Sequence, residues 1–179
     1  IIFTYHPVTL NYKKNREDLV TILEALSELG SDFGLVITKS NADDGGRVLN
    51  KEIESFVSSH KNAKAYDALG QYLYYNCINS FDLVLGNSSS GLFEVPTFKK
   101  PTVNIGDRQK GRIRSKSIID CKVGKKEIIE AINKALNMKC DDVVNPYGAG
   151  NSSKKIVSLL EKIDINKIPL QKHFFNEFF

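Results

Sequence analysis

Short apolar segments alternate with amphipathic segments along most of the chain. The apolar segments predict six strands, at residues 1–6, 33–38, 62–66, 81–86, 100–106 and 117–121. Most segments between them place hydrophobic residues at helical spacing, as Leu19, Ile22, Leu23 and Leu26 do. Strands that are apolar along their length and alternate with helices predict a doubly wound α/β domain, in which helices cover both faces of a parallel sheet.

Helix boundaries can also be predicted. Asn15 is a candidate N-cap for the first helix, and Gly30 is expected to end it. The other predicted helices lie at about residues 47–59 and 70–80, in a short segment toward Glu94, around 128–136, and around 156–163 with Ser152 as a candidate N-cap.

Four polar residues, His6, Asn41, Ser88 and Arg108, each lie at or just after the end of a predicted strand. The carboxyl ends of parallel strands meet at one edge of the sheet, and doubly wound domains bind their ligands there. The sequence therefore predicts that these side chains share one rim with a ligand site.

The segment GNSSSGLFE, residues 86–94, is the strongest candidate for a site. Small residues and hydroxyls between a strand and a helix can admit a phosphate to backbone N–H groups, although the same pattern also occurs in an ordinary capped helix. Neither a P-loop nor a GxGxxG fingerprint is present. Glu94 is either a solvent-facing residue or an acceptor for both hydroxyls of a ribose.

Other polar positions support the same rim. Arg108, Arg112 and Arg114 lie in a loop after a strand, where they either neutralise a departing phosphate or form a basic surface. His6 precedes Pro7 at a strand end and is a candidate ligand-binding or catalytic residue. The turn with Asn41, Asp43 and Asp44 has no metal-loop spacing.

Composition and charge exclude several classes of function. The net charge of +4 comes from lysines interspersed with acids, without the basic, aromatic-interleaved stripe of a nucleic-acid-binding protein. No apolar run approaches the ~20 residues of a membrane span, and the first residues lack the pattern of a signal peptide. The three cysteines have no CxxC spacing and the three histidines are scattered. We therefore expect reduced thiols in a cytoplasmic protein, with no metal site and no cofactor.

Several motifs, taken in order, resemble one family. The chain contains HPVT, an Asn-x-Asp turn at residues 41–43, GNSSSGLFE, PTVNIGDRQKGR, YGAGN and PLQK. This ordered set resembles the UDP-N-acetylglucosamine 2-epimerases, specifically the carboxyl-terminal Rossmann-like half of their GT-B-type fold. RQKGR is similar to the hydrolysing branch, which forms N-acetylmannosamine for sialic-acid-type sugars.

The resemblance implies a role for each matching position. Ser88 and Ser89 would hold the diphosphate, and Glu94 would accept the ribose hydroxyls. Arg108 would neutralise the leaving nucleotide, with Arg112 also on the UDP side. His6 would lie at the junction of sugar and diphosphate, Asn41 would line the same pocket, and the backbone of residues 66–69 would contact the uracil.

The resemblance also implies a domain organisation. Residues 1–165 would form the UDP-binding domain and 166–179 a tail, while the amino-terminal half that carries the acid and base carboxylates would be absent. The chain alone is then expected to bind a UDP-sugar weakly and to be inactive. Its expected partners are that missing half and other copies in a homo-oligomer. Two alternatives stay open: the donor-binding domain of a GT-B glycosyltransferase, and a non-catalytic nucleotide-sugar sensor.

Overall fold

The computed structural model describes residues 1–8, 14–41, 45–168 and 171. The chain divides into two compact units, Ile1–Tyr147 and Gly148–Phe179. The expected boundary near residue 165 stays a prediction, and most of the expected tail lies outside the described residues.

The first unit is built around one parallel sheet of six strands, which confirms the predicted fold class. The order across the sheet is β3-β2-β1-β4-β5-β6, so β1 and β4 are central neighbours. In chain order the strands are β1 (Ile2–Thr4), β2 (Leu35–Thr38), β3 (Ala63–Tyr66), β4 (Val84–Gly86), β5 (Thr102–Ile105) and β6 (Ile118–Cys121).

Helices connect most of these strands. In the first unit they are α1 (Asn15–Glu28), α2 (Gly46–Ser59), α3 (Gly70–Ser80), α4 (Ser90–Phe93) and α5 (Lys125–Leu136). A 3₁₀ turn, Val95–Phe98, follows α4. The second unit contains α6 (Ser152–Lys162) and a 3₁₀ turn at Ile165–Lys167.

Alternate residues of the central strands bury their side chains on opposite faces of the sheet. Phe3 and Leu85 belong to a large cluster with residues of α1, α2 and α5. Ile2 and Val84 belong to a smaller cluster with Ile78 of α3. Successive side chains of a strand point to opposite faces, so the continuous apolar strands are explained by a core on each side.

Two helix starts differ from the sequence-based expectation. Asn15 is the first residue of α1 and does not cap it; its buried side chain accepts from the backbone N–H of Val8 and donates to the Val8 carbonyl. Ser152 begins α6, but the capping position is Asn151, whose φ is 63° and whose side chain makes no capping hydrogen bond.

No helix in the described residues combines the length and the apolar character that crossing a membrane requires.

Candidate functional site

The centre of the sheet is where the strand order reverses. From β1 the chain builds outward through β2 and β3, then returns to place β4 on the other side of β1. Connections that leave in opposite directions open a crevice at the carboxyl ends of the two central strands, and doubly wound domains bind ligands in this crevice.

Gly86 lets the chain turn tightly at this crevice. Its φ is +126°, and a Cβ built on it would lie 1.8 Å from the carbonyl oxygen of Thr4. Only glycine fits so close to the neighbouring strand at this backbone angle. The turn that follows, residues 87–90, is called the serine turn below.

Asn87 connects the serine turn to two other segments. Its side chain is fully buried, accepting from the N–H of His6 at 2.7 Å and donating to the His6 carbonyl at 2.8 Å. Its own carbonyl accepts from Arg108 Nη1 at 3.1 Å and Gln109 Nε2 at 2.8 Å. One residue therefore sets the backbone of His6 and the position of the loop that carries Arg108.

A cavity of about 410 Å³ opens beside the serine turn. It is lined by four of the predicted site residues, His6, Asn41, Ser88 and Glu94. The remaining lining residues come mainly from the ends of β1, β2 and β3 and from α3: Thr4, Thr38, Lys39, Asp67, Ala68, Leu69, Gly70, Gln71, Tyr74, Tyr75 and Ser90.

Within the serine turn, Ser88 and Ser90 line the cavity and Ser89 does not. Ser90 Oγ lies 2.5 Å from the hydroxyl of Tyr74 and donates to Ser88 Oγ at 3.3 Å. The helix that begins at Ser90 has only four residues, so its dipole is much smaller than that of a long helix. The hydroxyls of Ser88 and Ser90 are therefore the groups of this turn that an anion in the cavity would meet, whereas Arg108 reaches the Asn87 carbonyl and does not line the cavity.

The three arginines of the loop at residues 107–114, called the arginine loop below, lie in different places. Arg108 contacts the Asn87 carbonyl beside the serine turn. Arg112 is exposed outside the cavity lining, with its guanidinium carbon 4.9 Å from the centre of the Phe93 ring. Arg114 donates to Asp120 and to the carbonyls of Gln109 and Arg112, so it braces the loop.

His6 and Asn41 meet at the cavity wall. The backbone N–H of Asn41 donates to His6 Nδ1 at 3.4 Å, which favours a ring whose Nδ1 carries no proton. Asp43 and Asp44, from the same predicted turn, lie outside the described residues.

The segment after β3 forms another part of the lining. Of the predicted uracil contact at residues 66–69, Asp67, Ala68 and Leu69 line the cavity. Lys39 bridges the carboxylates of Glu54 and Asp67 at 2.8 and 2.9 Å, and these hydrogen bonds raise the pKa of Lys39. This ion pair holds the segment against the end of β2.

Tyr74 and the roles of Ser90 and Asn87 were not predicted from the sequence. Tyr74 reaches the site from α3, and nothing in the local sequence marks that contact. Asn87 did carry a signal, because a polar residue directly after an apolar strand must satisfy its amide when it is buried.

In the part of the chain that the structure describes, no group of three or more His, Cys, Asp or Glu side chains is arranged to hold a metal ion. The polar groups at the cavity include hydroxyls, the His6 ring, the Lys39 ammonium group and the carboxylates of Asp67 and Glu94.

Comparisons with known proteins show which proteins this chain is similar to. The family model for UDP-N-acetylglucosamine 2-epimerase matches residues 1–161. A GDP/UDP-N,N'-diacetylbacillosamine 2-epimerase (hydrolyzing) from Campylobacter jejuni is 43% identical over 124 residues, 68% of this chain and 32% of that protein. The polysialic acid biosynthesis protein P7 of Escherichia coli is 32% identical over 98% of this chain and 46% of its own length.

Solved structures show the same fold. The UDP-GlcNAc 2-epimerase of Neisseria meningitidis, bound to UDP-GlcNAc, superposes with a TM-score of 0.74 at 22% identity and covers 90% of this chain and 44% of that one. The UDP-GlcNAc 2-epimerase of Methanocaldococcus jannaschii, in complex with UDP-GlcNAc and UDP, superposes with a TM-score of 0.70 at 21% identity. The match covers 89% of this chain and 44% of that one.

The chain thus spans less than half the length of these relatives. The family expected from the ordered motifs is confirmed by the family model and by the curated relatives. The chain belongs to the UDP-N-acetylglucosamine 2-epimerase family.

Proposed function

We propose that this chain is the UDP-binding half of a hydrolysing UDP-N-acetylglucosamine 2-epimerase, which converts UDP-N-acetylglucosamine and water to N-acetylmannosamine and UDP. The observation that carries the proposal is that His6, Ser88 and Glu94 line one cavity at the point where the strand order reverses. Membership of the family and the hydrolysing relatives support it.

The cavity offers a suitable group for each part of UDP. Ser88 supplies a hydroxyl donor for the diphosphate, and Arg108 brings a positive charge to the adjoining backbone. Glu94, farther along the chain from the serine turn, can accept both ribose hydroxyls. The backbone of residues 66–69, of which Asp67, Ala68 and Leu69 line the cavity, would contact the edge of the base.

Arg112 is a weaker candidate for contact with UDP. Its guanidinium lies over the Phe93 ring rather than in the cavity lining, so a direct role would require a movement of its side chain. Ser89 likewise would contribute through its backbone rather than through a hydroxyl in the cavity.

The reaction needs three things from a protein. A base must remove the proton at C2, the departing diphosphate must be stabilised, and water must reach the anomeric carbon. In our proposal this chain stabilises the departing diphosphate through Arg108 and the serine turn. His6 would lie at the junction of sugar and diphosphate. The acid and base carboxylates would come from an amino-terminal half, consistent with the fraction of its relatives that the chain spans.

The proposed pathway is supported by the name of one relative. A relative named for polysialic acid biosynthesis supports a role in the supply of sialic-acid-type sugars. Other relatives are named for a diacetylated sugar, which makes that sugar the second substrate to test.

The reaction is tested with the full-length protein that contains this chain. Incubated with UDP-N-acetylglucosamine and water alone, it should release UDP and N-acetylmannosamine in equal amounts, measured by chromatography. A protein that releases UDP only after an acceptor sugar is added would be a glycosyltransferase, and the proposal would be wrong.

The nucleotide site is tested on the chain by calorimetry. UDP should bind without added metal, and Glu94→Gln should weaken UDP and uridine alike by about three- to tenfold, because both carry the ribose. Glu130→Gln, at an exposed position of α5, is the matched control and should leave both affinities unchanged. Binding of NAD without binding of UDP would contradict the assignment.

A further inference from the structure

Three hydroxyls form a continuous chain along one wall of the cavity. Tyr74 Oη of α3 lies 2.5 Å from Ser90 Oγ, which lies 3.3 Å from Ser88 Oγ. The backbone N–H of Ser90 also points to Ser88 Oγ, at 3.4 Å. All three residues line the cavity, and the group is called the hydroxyl chain below.

Because each hydroxyl has a single proton, it is possible to say which group donates in each hydrogen bond of the hydroxyl chain. A hydroxyl has one proton to donate and two lone pairs that accept. Ser90 gives its proton to Ser88, so the short contact between Tyr74 and Ser90 must be donated by Tyr74. Burial raises the pKa of Tyr74, so this hydroxyl keeps its proton over the physiological range.

Ser88 stands at the end of the hydroxyl chain as an acceptor from two groups. Both lone pairs of its Oγ face Ser90, one toward the hydroxyl and one toward the backbone N–H. The Ser88 proton is then left to point into the cavity. A ligand beside Ser88 meets a donor, and the oxygens of a diphosphate can only accept.

Packing alone does not account for the tyrosine hydroxyl. The Tyr74 ring packs against the apolar cluster that contains Ile78 and Val95, and a phenylalanine would fill that space equally well. What phenylalanine lacks is the proton that fixes the orientation of Ser90.

We propose that Tyr74 is a positioning residue that acts through Ser90 to make the Ser88 hydroxyl an obligate donor to the diphosphate. This inference rests on the proposed function. Tyr74 is not expected to touch the ligand itself, so its effect should depend on the presence of Ser90 and on the presence of phosphate.

The first test compares the affinity of the chain for UDP, uridine and inorganic pyrophosphate by calorimetry. Tyr74→Phe should weaken UDP and pyrophosphate by about three- to tenfold, the usual effect of one hydrogen bond, and leave uridine unchanged. Tyr72→Phe removes a hydroxyl from an 80% exposed position of the same helix and should change none of the three affinities.

The second test is a double-mutant cycle with Ser90→Ala. If Tyr74 acts only through Ser90, adding Tyr74→Phe to Ser90→Ala should weaken UDP binding no further. Losses that add fully would show that Tyr74 reaches the ligand by another route, and would overturn the inference.

The outcomes separate this inference from the proposed function. Unchanged UDP affinity in Tyr74→Phe, or an equal loss for uridine, overturns the hydroxyl chain and leaves the nucleotide site standing. Binding of pyrophosphate without UDP by the unaltered chain contradicts the nucleotide site, while a loss of pyrophosphate affinity in Tyr74→Phe would still support the hydroxyl chain. If the unaltered chain binds neither compound, both proposals fail.

Discussion

At the scale of single residues, Asn87 shows how a buried amide organises a ligand site. Its side chain satisfies the two backbone groups of His6, and its carbonyl receives Arg108 and Gln109. No water is needed for these groups, because the amide presents one donor and one acceptor in the required places. Changing one atom of this amide should therefore have a large effect.

Asn87→Asp is predicted to make stability depend on pH. One carboxyl oxygen would still accept from the His6 N–H, but the other would face the His6 carbonyl and could bond to it only when protonated. The folded state would thus raise the pKa of this carboxyl above the unfolded value of ~3.9. The free energy of unfolding should be highest below that pH. It should fall as the pH rises, by up to about 1.4 kcal/mol per pH unit.

Denaturant unfolding at several pH values between 4 and 7 measures this dependence. Asn76→Asp is the matched control, because the Asn76 amide donates to the Tyr72 carbonyl at an exposed position of α3. A flat profile for Asn87→Asp, parallel to that of the control, would contradict the assignment of these two hydrogen bonds.

Gly86→Ala is predicted to destabilise the protein by about 3 kcal/mol or more, since the added Cβ cannot coexist with the Thr4 carbonyl and φ is +126°. Gly30→Ala is the matched control: φ is +85° but nothing lies within 4 Å, so only a backbone cost of about 1–2 kcal/mol is expected. Equal losses in urea denaturation would show that the close approach of β1 and β4 contributes nothing.

Cavity-lining residues could be predicted where the sequence places them after a strand or at a telling distance from the serine turn. His6, Asn41 and Ser88, predicted in the first way, and Glu94, predicted in the second, all line the cavity, whereas Arg108, which also follows a strand, does not. Tyr74 could not be predicted, because its hydroxyl meets Ser90 from a separate helix, sixteen residues away along the chain. Such a contact depends on how α3 packs against the sheet rather than on any local pattern.

At the scale of elements, the order of strands and helices was predicted correctly, but the lengths of the strands were predicted too long. The strands that pair in the sheet have only three or four residues, because the apolar segments continue into turns. The helix that was predicted to run toward Glu94 ends at Phe93. It cannot continue because Pro96 has no N–H to donate and its ring would clash with the carbonyl four residues earlier.

The arginine loop gives a prediction at this scale. Arg114 joins it to Asp120 of β6 and to two carbonyls within the loop. Arg114→Ala should speed amide hydrogen exchange in residues 107–113 by about tenfold, the effect of losing bonds to a charged donor. Arg112→Ala, which removes an exposed guanidinium from the same loop, should change exchange much less. Similar rates in both variants would contradict this bracing role.

At the scale of the whole molecule, stability should fall in alkaline solution. Burial raises the pKa of Cys121 to about 12, and burial together with Asp18 raises the pKa of Tyr5. The unfolded chain would lose these protons first, from about pH 9 upward, while the folded chain keeps them. The stabilisation that these two groups contribute is therefore complete below about pH 9. As the pH rises above that value, the free energy of unfolding declines.

Tyr5→Phe isolates one of the two groups. Its unfolding free energy, measured by denaturation from pH 8 to 11, should decline less steeply above pH 10 than that of the unaltered chain, by up to about 1.4 kcal/mol per unit. Tyr72→Phe, at a highly exposed position, should keep the original slope. A Tyr5→Phe profile that follows the control would show that Tyr5 does not titrate with folding.

The pairing of β1 with β4 has a consequence for how the protein matures. His6 and Asn87 are 81 positions apart, and the arginine that contacts Asn87 comes later still. Contacts between such distant segments form slowly, since a long intervening length must first be brought together. During synthesis the pocket cannot form until β4 and the residues through Glu94 have left the ribosome, so a nascent chain should acquire nucleotide affinity late and abruptly.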